Sequence, residues 1–198
     1  MVAGDSIAGM WTQHLSFPDG TVTVNNARGG AGFTQPATGD PSTSFSISER
    51  LLAQLDACED DVGLVVLSGG TNDLSVGQSP APLTAAMTAL DAELAARGVA
   101  AVWLPITPWA VSVTATYDLR YDSRLVVNGF VGTPGNLVAV IDCNDVLRAP
   151  GVTPEMLRAE YWTWADAITP DRHHLNDAGY RAFADCRSPQ LDALVHGP

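Results

Sequence analysis

Apolar positions along this chain fall into two kinds of run that alternate. Short continuous runs at 62–67, 99–106 and 137–141 have the length and β-branched content of strands buried on both faces. Between them lie stretches whose apolar residues recur three and four apart, as Ile47, Leu51, Leu52 and Leu55 do, which is the spacing of one helix face. The pattern predicts strands over 1–4, 21–25, 62–67, 99–104 and 137–141. It predicts helices over 6–14, 46–57, 83–97, 118–131 and 177–186. Gly98 closes one helix, Pro105 stops one strand, and Asn176 suits the N-cap of the last helix. The stretch 26–43 is rich in Gly, Pro, Ser and Thr and reads as a loop.

Strands alternating with helices imply an α/β protein with a parallel sheet covered on both faces and right-handed connections. The 198 residues suit one domain, 1–198. In such sheets ligands bind beyond the carboxyl ends of the strands. The residues expected there are polar: Gly4-Asp5-Ser6, then Asn25 to Gly30, then Gly69-Gly70-Thr71-Asn72-Asp73. The loop before the last helix adds Asp171 and His174.

Composition narrows the classes of function. The apolar fraction is 46%, yet no apolar run approaches the roughly 18 residues of a membrane span. The net charge is −12, and all ten basic residues are Arg. That balance argues against nucleic acid or an anionic membrane as partner, because phosphate binding needs basic clusters. Cys58, Cys143 and Cys186 are too few and too scattered for a disulfide scaffold or a zinc finger. One bridge with one free thiol and three reduced thiols fit equally well, which leaves the redox compartment open. No signal peptide is visible, and location stays open, a secreted mature form included. The first strand is almost absent, so either it is short or residues precede Met1. Oligomeric state has no signature here.

Ser6 follows a strand and opens a helix. Its hydroxyl either caps that helix or acts as a nucleophile, which requires a neighbouring base. Gly29, Gly30 and Gly32 either make a flexible loop or let a substrate approach the main chain closely. Asn72 either forms an Asx-turn at a strand end or donates its side-chain amide to an oxyanion.

GDS at 4–6, the glycines of the second loop, GTND at 70–73 and D-x-x-H-L-N at 171–176 resemble the motifs of the SGNH hydrolases, also called GDSL esterases and lipases. All four occur in family order and span almost the whole chain. The resemblance implies a flavodoxin-like three-layer α/β/α sandwich with a five-stranded parallel sheet. It implies Ser6 as nucleophile, His174 as general base and Asp171 as the partner that orients it. The oxyanion hole would combine the Ser6 N–H, the Gly30 N–H and the Asn72 side chain, with Gly29 as the alternative to Gly30. The second block reads ARGGAG, where many relatives carry a serine before the key glycine. Arg28 beside it either holds a substrate carboxylate or phosphate, or pairs with Asp5 or Asp40.

A carboxylate three residues before a histidine can reach its Nδ1–H and leave Nε2 for the serine, so His174 fits and His173 does not. Adjacent histidines rarely share a metal and no third ligand is evident, so neither metal nor cofactor is expected. Asp142 reads as a loop-capping residue, and His14 and His196 as surface or helix-end residues. Trp11, Trp109, Trp162 and Trp164 are candidates for the pocket wall, about half of them expected to be core. The one sizeable excursion, 107–117, is too short for a lid and suggests an open site. The expected function is an esterase acting on short acyl groups, such as acetyl esters of carbohydrates or other small molecules. The alternatives are an acyltransferase using the same residues and a carbohydrate-binding module on the same fold.

Overall fold

The computed structural model describes residues 1–15, 17, 21, 23–36, 45–58, 62–108, 116–130, 132, 136–148, 150–151 and 174–196. Four strands, β1 (Val2–Gly4), β2 (Leu64–Ser68), β3 (Ala100–Leu104) and β4 (Leu137–Val140), form one sheet in the order β1-β2-β3-β4. Every pairing is parallel, with Val2 opposite Val66, Leu67 opposite Trp103 and Trp103 opposite Val140. Five strands were expected, and four form among the described residues. Among the described residues, the segment predicted as a strand over 21–25 contributes a single parallel bridge, Val2 to Asn25, beside β1. Val2 N–H donates to Val24 and Asn26 N–H to Val2, but the chain then turns away to build the loop described below.

Side chains of β1, β2 and β3 alternate between two cores, which is why these strands read as unbroken apolar runs, whereas Val138 and Val140 of β4 are exposed. Ala3, Val65, Leu67, Ala101 and Trp103 face one core. That core is covered by α2 (Ile47–Ala57), α3 (Thr71–Ser75), α4 (Pro80–Ala96) and α5 (Thr116–Asn128), through Ile47, Leu51, Leu74, Leu83, Leu90 and Val127. Val2, Val66, Val102 and Leu104 face the other. It is covered by α1 (Ser6–Trp11), α6 (Asn144–Leu147) and α7 (Asp177–His196), through Ile7, Trp11, Leu147, Tyr180 and Phe183. The result is a three-layer α/β/α sandwich.

Local chemistry explains the helix ends. Ser46 caps α2 in a capping box with Glu49. α4 starts three residues earlier than its apolar pattern suggests, because Pro80 is well suited to a first helical turn. α7 runs ten residues past its expected end at 186, through Pro189. Proline normally interrupts a helix. Here Leu191 is buried beyond it in the second core, and Gln190 Nε2 donates to the Cys186 carbonyl at 2.9 Å. A disulfide joins Cys143, at the start of α6, to Cys186 in α7, and Cys58 is free. Among the described residues no helix is long and apolar enough to cross a membrane.

Candidate active site

The first strand delivers its carboxyl end directly into α1. Asp5, not Ser6, is the N-cap: its Oδ1 accepts from Ile7 N–H at 3.0 Å and Ala8 N–H at 3.4 Å. Its carbonyl accepts from Gly9 N–H at 3.1 Å. Ser6 is thereby the first helical residue, and its hydroxyl is left for other work. His174 stands at the entrance to α7. Leu175 beside it is buried in the second core, and Asn176 Oδ1 accepts from Gly179 N–H at 2.9 Å, capping the helix as expected. α1 and α7 lie in the same layer, so their amino ends meet at the sheet edge. Ser6 Oγ and His174 Nε2 are 2.6 Å apart although 168 positions separate them. Asp171 and His173 lie outside the described residues, as do Trp109, Trp162 and Trp164. Trp11 is fully buried beneath the sheet and lines no open surface, which corrects its candidacy for the pocket wall.

The second loop is built against the same edge. Arg28 N–H donates to the Gly4 carbonyl at 2.9 Å, and the Arg28 carbonyl accepts from Ala31 N–H at 3.2 Å. The four residues 28–31 thus close a tight turn, with φ of +77° at Gly30, its third position. That value is typical of a type II turn and explains glycine there. A Cβ added to Gly29 would lie 3.8 Å from Ser6 Cβ, so the turn passes beside the serine. The amides of Gly29 and Gly30 have no backbone acceptor among the described residues. Asn72 is the second residue of α3, and its Nδ2 donates to the Ala31 carbonyl at 2.8 Å. One hydrogen of that amide is used; the other is available. Ser6, the glycine turn, Asn72 and His174 are therefore brought to one edge of the sheet.

Two buried carboxylates support these groups. Asp73 is fully buried, and its Oδ2 accepts from Phe33 N–H at 2.9 Å. Its Oδ1 accepts from Thr34 N–H at 2.8 Å and Thr34 Oγ1 at 2.6 Å. Asp73 therefore ties the loop after the glycine turn to the helix that carries Asn72. Asp5 is buried with its Oδ2 unpartnered, and desolvation pushes its pKa up to about 6. The helix amides, then the charge of His174, oppose that rise, and the charge of Asp73 adds to it. Both supports escaped the sequence reading. An Asp before a helix is a common cap and was legible at Asp5. Asp73 gave no local sign, because its partners are 39 and 40 residues away.

Other candidates resolve simply. The Asp5 carboxylate is committed to the α1 amides rather than to Arg28, and Asp40 lies outside the described residues. Asp142 Oδ1 accepts from Asn144 N–H at 2.9 Å, the loop-capping contact expected of it. His14 lies 3.4 Å from Asp177, and His196 lies near Asp192 and Thr21, away from the serine.

No protein-family model matches the sequence, and no curated protein matches it. Solved structures do match in shape. A GDSL-like lipase from Bacteroides thetaiotaomicron superposes with a TM-score of 0.64 at 14% identity, over 98% of this chain and 87% of that one. A carbohydrate acetylesterase from Sinorhizobium meliloti gives 0.66 at 14% identity, over 98% and 97%. The aryl esterase of M. smegmatis gives 0.61 at 13% identity, over 98% and 97%. At these identities the likeness establishes architecture: the chain has the SGNH-hydrolase fold.

Proposed function

We propose that this chain, read as one catalytic domain over 1–198, is a serine esterase that hydrolyses carboxylic esters through an acyl-enzyme on Ser6. The observation that carries the reading is the 2.6 Å contact between Ser6 Oγ and His174 Nε2. A hydroxyl is a weak nucleophile until a base takes its proton, and an imidazole nitrogen at hydrogen-bond distance is that base.

Ser6 Oγ attacks the ester carbonyl while its proton passes to His174 Nε2. The carbonyl oxygen becomes an oxyanion, held by the amides of Ser6 and Gly30 and by the second hydrogen of Asn72 Nδ2. Gly29 is the alternative to Gly30. A donor of this kind contributes about 3 kcal/mol to the transition state. The imidazolium returns the proton to the departing alcohol oxygen, and the acyl group remains on Ser6. Water then attacks, His174 takes its proton, and the acid leaves as Oγ is reprotonated. Asp171 is proposed to accept from Nδ1–H and stabilise the imidazolium. These steps call on no metal or cofactor.

The substrate class rests on less. The Sinorhizobium neighbour is a carbohydrate acetylesterase, which supports short acyl groups on glycans or similar small molecules. The Cys143–Cys186 bond favours an oxidising compartment as the place of action. The test is turnover of p-nitrophenyl esters from acetyl to palmitoyl by wild type and Ser6→Ala. Release by wild type alone, highest for acetyl, supports the reading. Equal release by both proteins, or none by either, rejects it. Added acceptor sugar that captures the acyl group reassigns the protein as a transferase.

A further inference from the structure

α5 packs on the first core through Val127, yet one of its faces carries a polar stripe. Arg120, Arg124 and Asn128 follow one another at intervals of four residues, which places them on the same side of the helix. All three donate to main-chain carbonyls. Arg120 Nη2 donates to Ser75, the last residue of α3, at 2.8 Å. Arg124 Nη1 donates to Ile106, just past β3, at 3.4 Å. Asn128 Nδ2 donates to that same carbonyl at 3.0 Å, and its Oδ1 accepts from Ile106 N–H at 2.7 Å. From the opposite layer, Asn144 Nδ2 of α6 also donates to the Ile106 carbonyl at 3.0 Å. Three donors meet a carbonyl that has two lone pairs, so its hydrogen-bonding need does not account for them all. Together they fix Ile106 from both helical layers.

Ile106 in turn fixes the start of α3. Gly70 is the N-cap of that helix, has φ of +105° and offers no side-chain cap. A Cβ added to Gly70 would lie 2.9 Å from Ile106 Cδ1, so the isoleucine rests against the Gly70 main chain. Asn72 follows two residues later. α5 therefore grips this five-residue helix at both ends, at Ser75 directly and at Gly70 through Ile106. We propose that Asn128 is a positioning residue for the oxyanion donor Asn72, acting through Ile106 and Gly70. The inference rests on the esterase reading above. The Ala31 carbonyl orients the Asn72 amide, but the helix that carries Asn72 has still to be placed. A helix this short and uncapped does not hold itself, so its position is set by what grips it. A donor displaced by about 1 Å is costly to the rate.

The test is a double-mutant cycle in the turnover of p-nitrophenyl acetate. Asn128→Ala is expected to lower kcat by about tenfold, with KM within about twofold of wild type, as a misplaced transition-state donor does. Ile106→Val removes only the methyl that meets Gly70 and is expected to lower kcat by about threefold. In an Asn72→Ala background both effects should vanish, because the group they place is gone. A purely structural role would carry the same losses into that background. Equal losses in both backgrounds, or kcat unchanged by either substitution, overturn the proposal. If Asn128→Ala does not fold, the Ile106→Val cycle decides by the same rule. If wild type turns over no ester, the esterase reading fails, and NMR decides the positioning alone. The side-chain NH2 signals of Asn72, identified by their loss in Asn72→Ala, should exchange with water severalfold faster in Ile106→Val. An unchanged exchange rate overturns it.

Discussion

The Cα of Gly32 lies directly against the carboxylate of Asp73, so that an added Cβ would stand 2.4 Å from Oδ2. The carboxylate cannot retreat, because three donors from Phe33 and Thr34 hold it. Gly32→Ala is therefore an overpacking substitution at the base of the glycine loop, expected to cost about 1–3 kcal/mol. Asp73→Asn tests the same joint from the other side. An amide offers one acceptor where the carboxylate offers two, so Phe33 or Thr34 N–H is left facing an NH2 group. Stability should fall by about 2 kcal/mol, or roughly 4–8 °C in Tm for a chain of this size. Because the joint positions the proposed oxyanion donors, kcat for p-nitrophenyl acetate should fall while KM changes less. A thermal shift with kcat intact would make Asp73 a purely structural residue.

Asn72→Ala separates the donor from its scaffold. The side chain gives one hydrogen to the Ala31 carbonyl, so its loss costs about 1 kcal/mol of stability. As an oxyanion donor its loss lowers kcat by about 10²–10³-fold. Circular-dichroism melting together with ester turnover distinguishes these. A variant that melts a few degrees earlier at unchanged kcat would remove Asn72 from the proposed oxyanion hole.

Much of this architecture was legible in residue patterns. Buried strands announced themselves at β2 and β3 because both faces are covered, and α4 because its apolar spacing is long and ends at Gly98; β4 reads as an equally apolar run although Val138 and Val140 are exposed. The fifth strand was overread. Residues 21–25 have the right β-branched composition, but pairing depends on where the chain must go next, and the Arg28–Ala31 turn takes it off the edge after one bridge. α7 was underread because Pro189 looks like a stop until Leu191 is seen to be buried beyond it. At the site, Ser6, Asn72 and His174 were visible through their motifs. The brace from Asp73 was invisible, since it joins elements that no local spacing relates.

Asp5 creates a pH signature. Its carboxyl is pushed up to about 6 in the folded chain, against an ordinary value of 3.8 once unfolding exposes it to water. Folding therefore binds a proton between those values. The contribution to stability is complete below about 3.8 and is lost as pH rises through about 6. Two pKa units correspond to about 3 kcal/mol of charge burial carried at neutral pH. Asp5→Asn keeps a competent cap for α1 and removes the charge. It should be about 2 kcal/mol more stable than wild type at pH 7, the rest being offset by its unpaired amide nitrogen, and no more stable at pH 4. Denaturant melts at the two pH values decide it: equal differences at both would remove Asp5 as the titrating group.

The Cys143–Cys186 bond ties the start of α6 to α7 and closes a span of 43 positions that contains His174. Closing a loop of that length stabilises a fold by about 4 kcal/mol in the chain-entropy account, with 2–4 kcal/mol commonly measured. Cys143→Ser with Cys186→Ser should lower Tm by roughly 4–15 °C. His174 is also held by its neighbours: Leu175 is buried and Asn176 caps α7. Ester turnover well below the new Tm should therefore stay within about threefold of wild type, the effect of a small shift in one hydrogen bond. Reductant added during unfolding should shift the wild-type melt toward that of the double variant and leave the variant's own melt unchanged. Identical melts with and without reductant would show that the two thiols are not joined in the protein as made. A collapse of turnover at a temperature where the variant is still folded would show that the bond, rather than the packing around Leu175, fixes the histidine against Ser6.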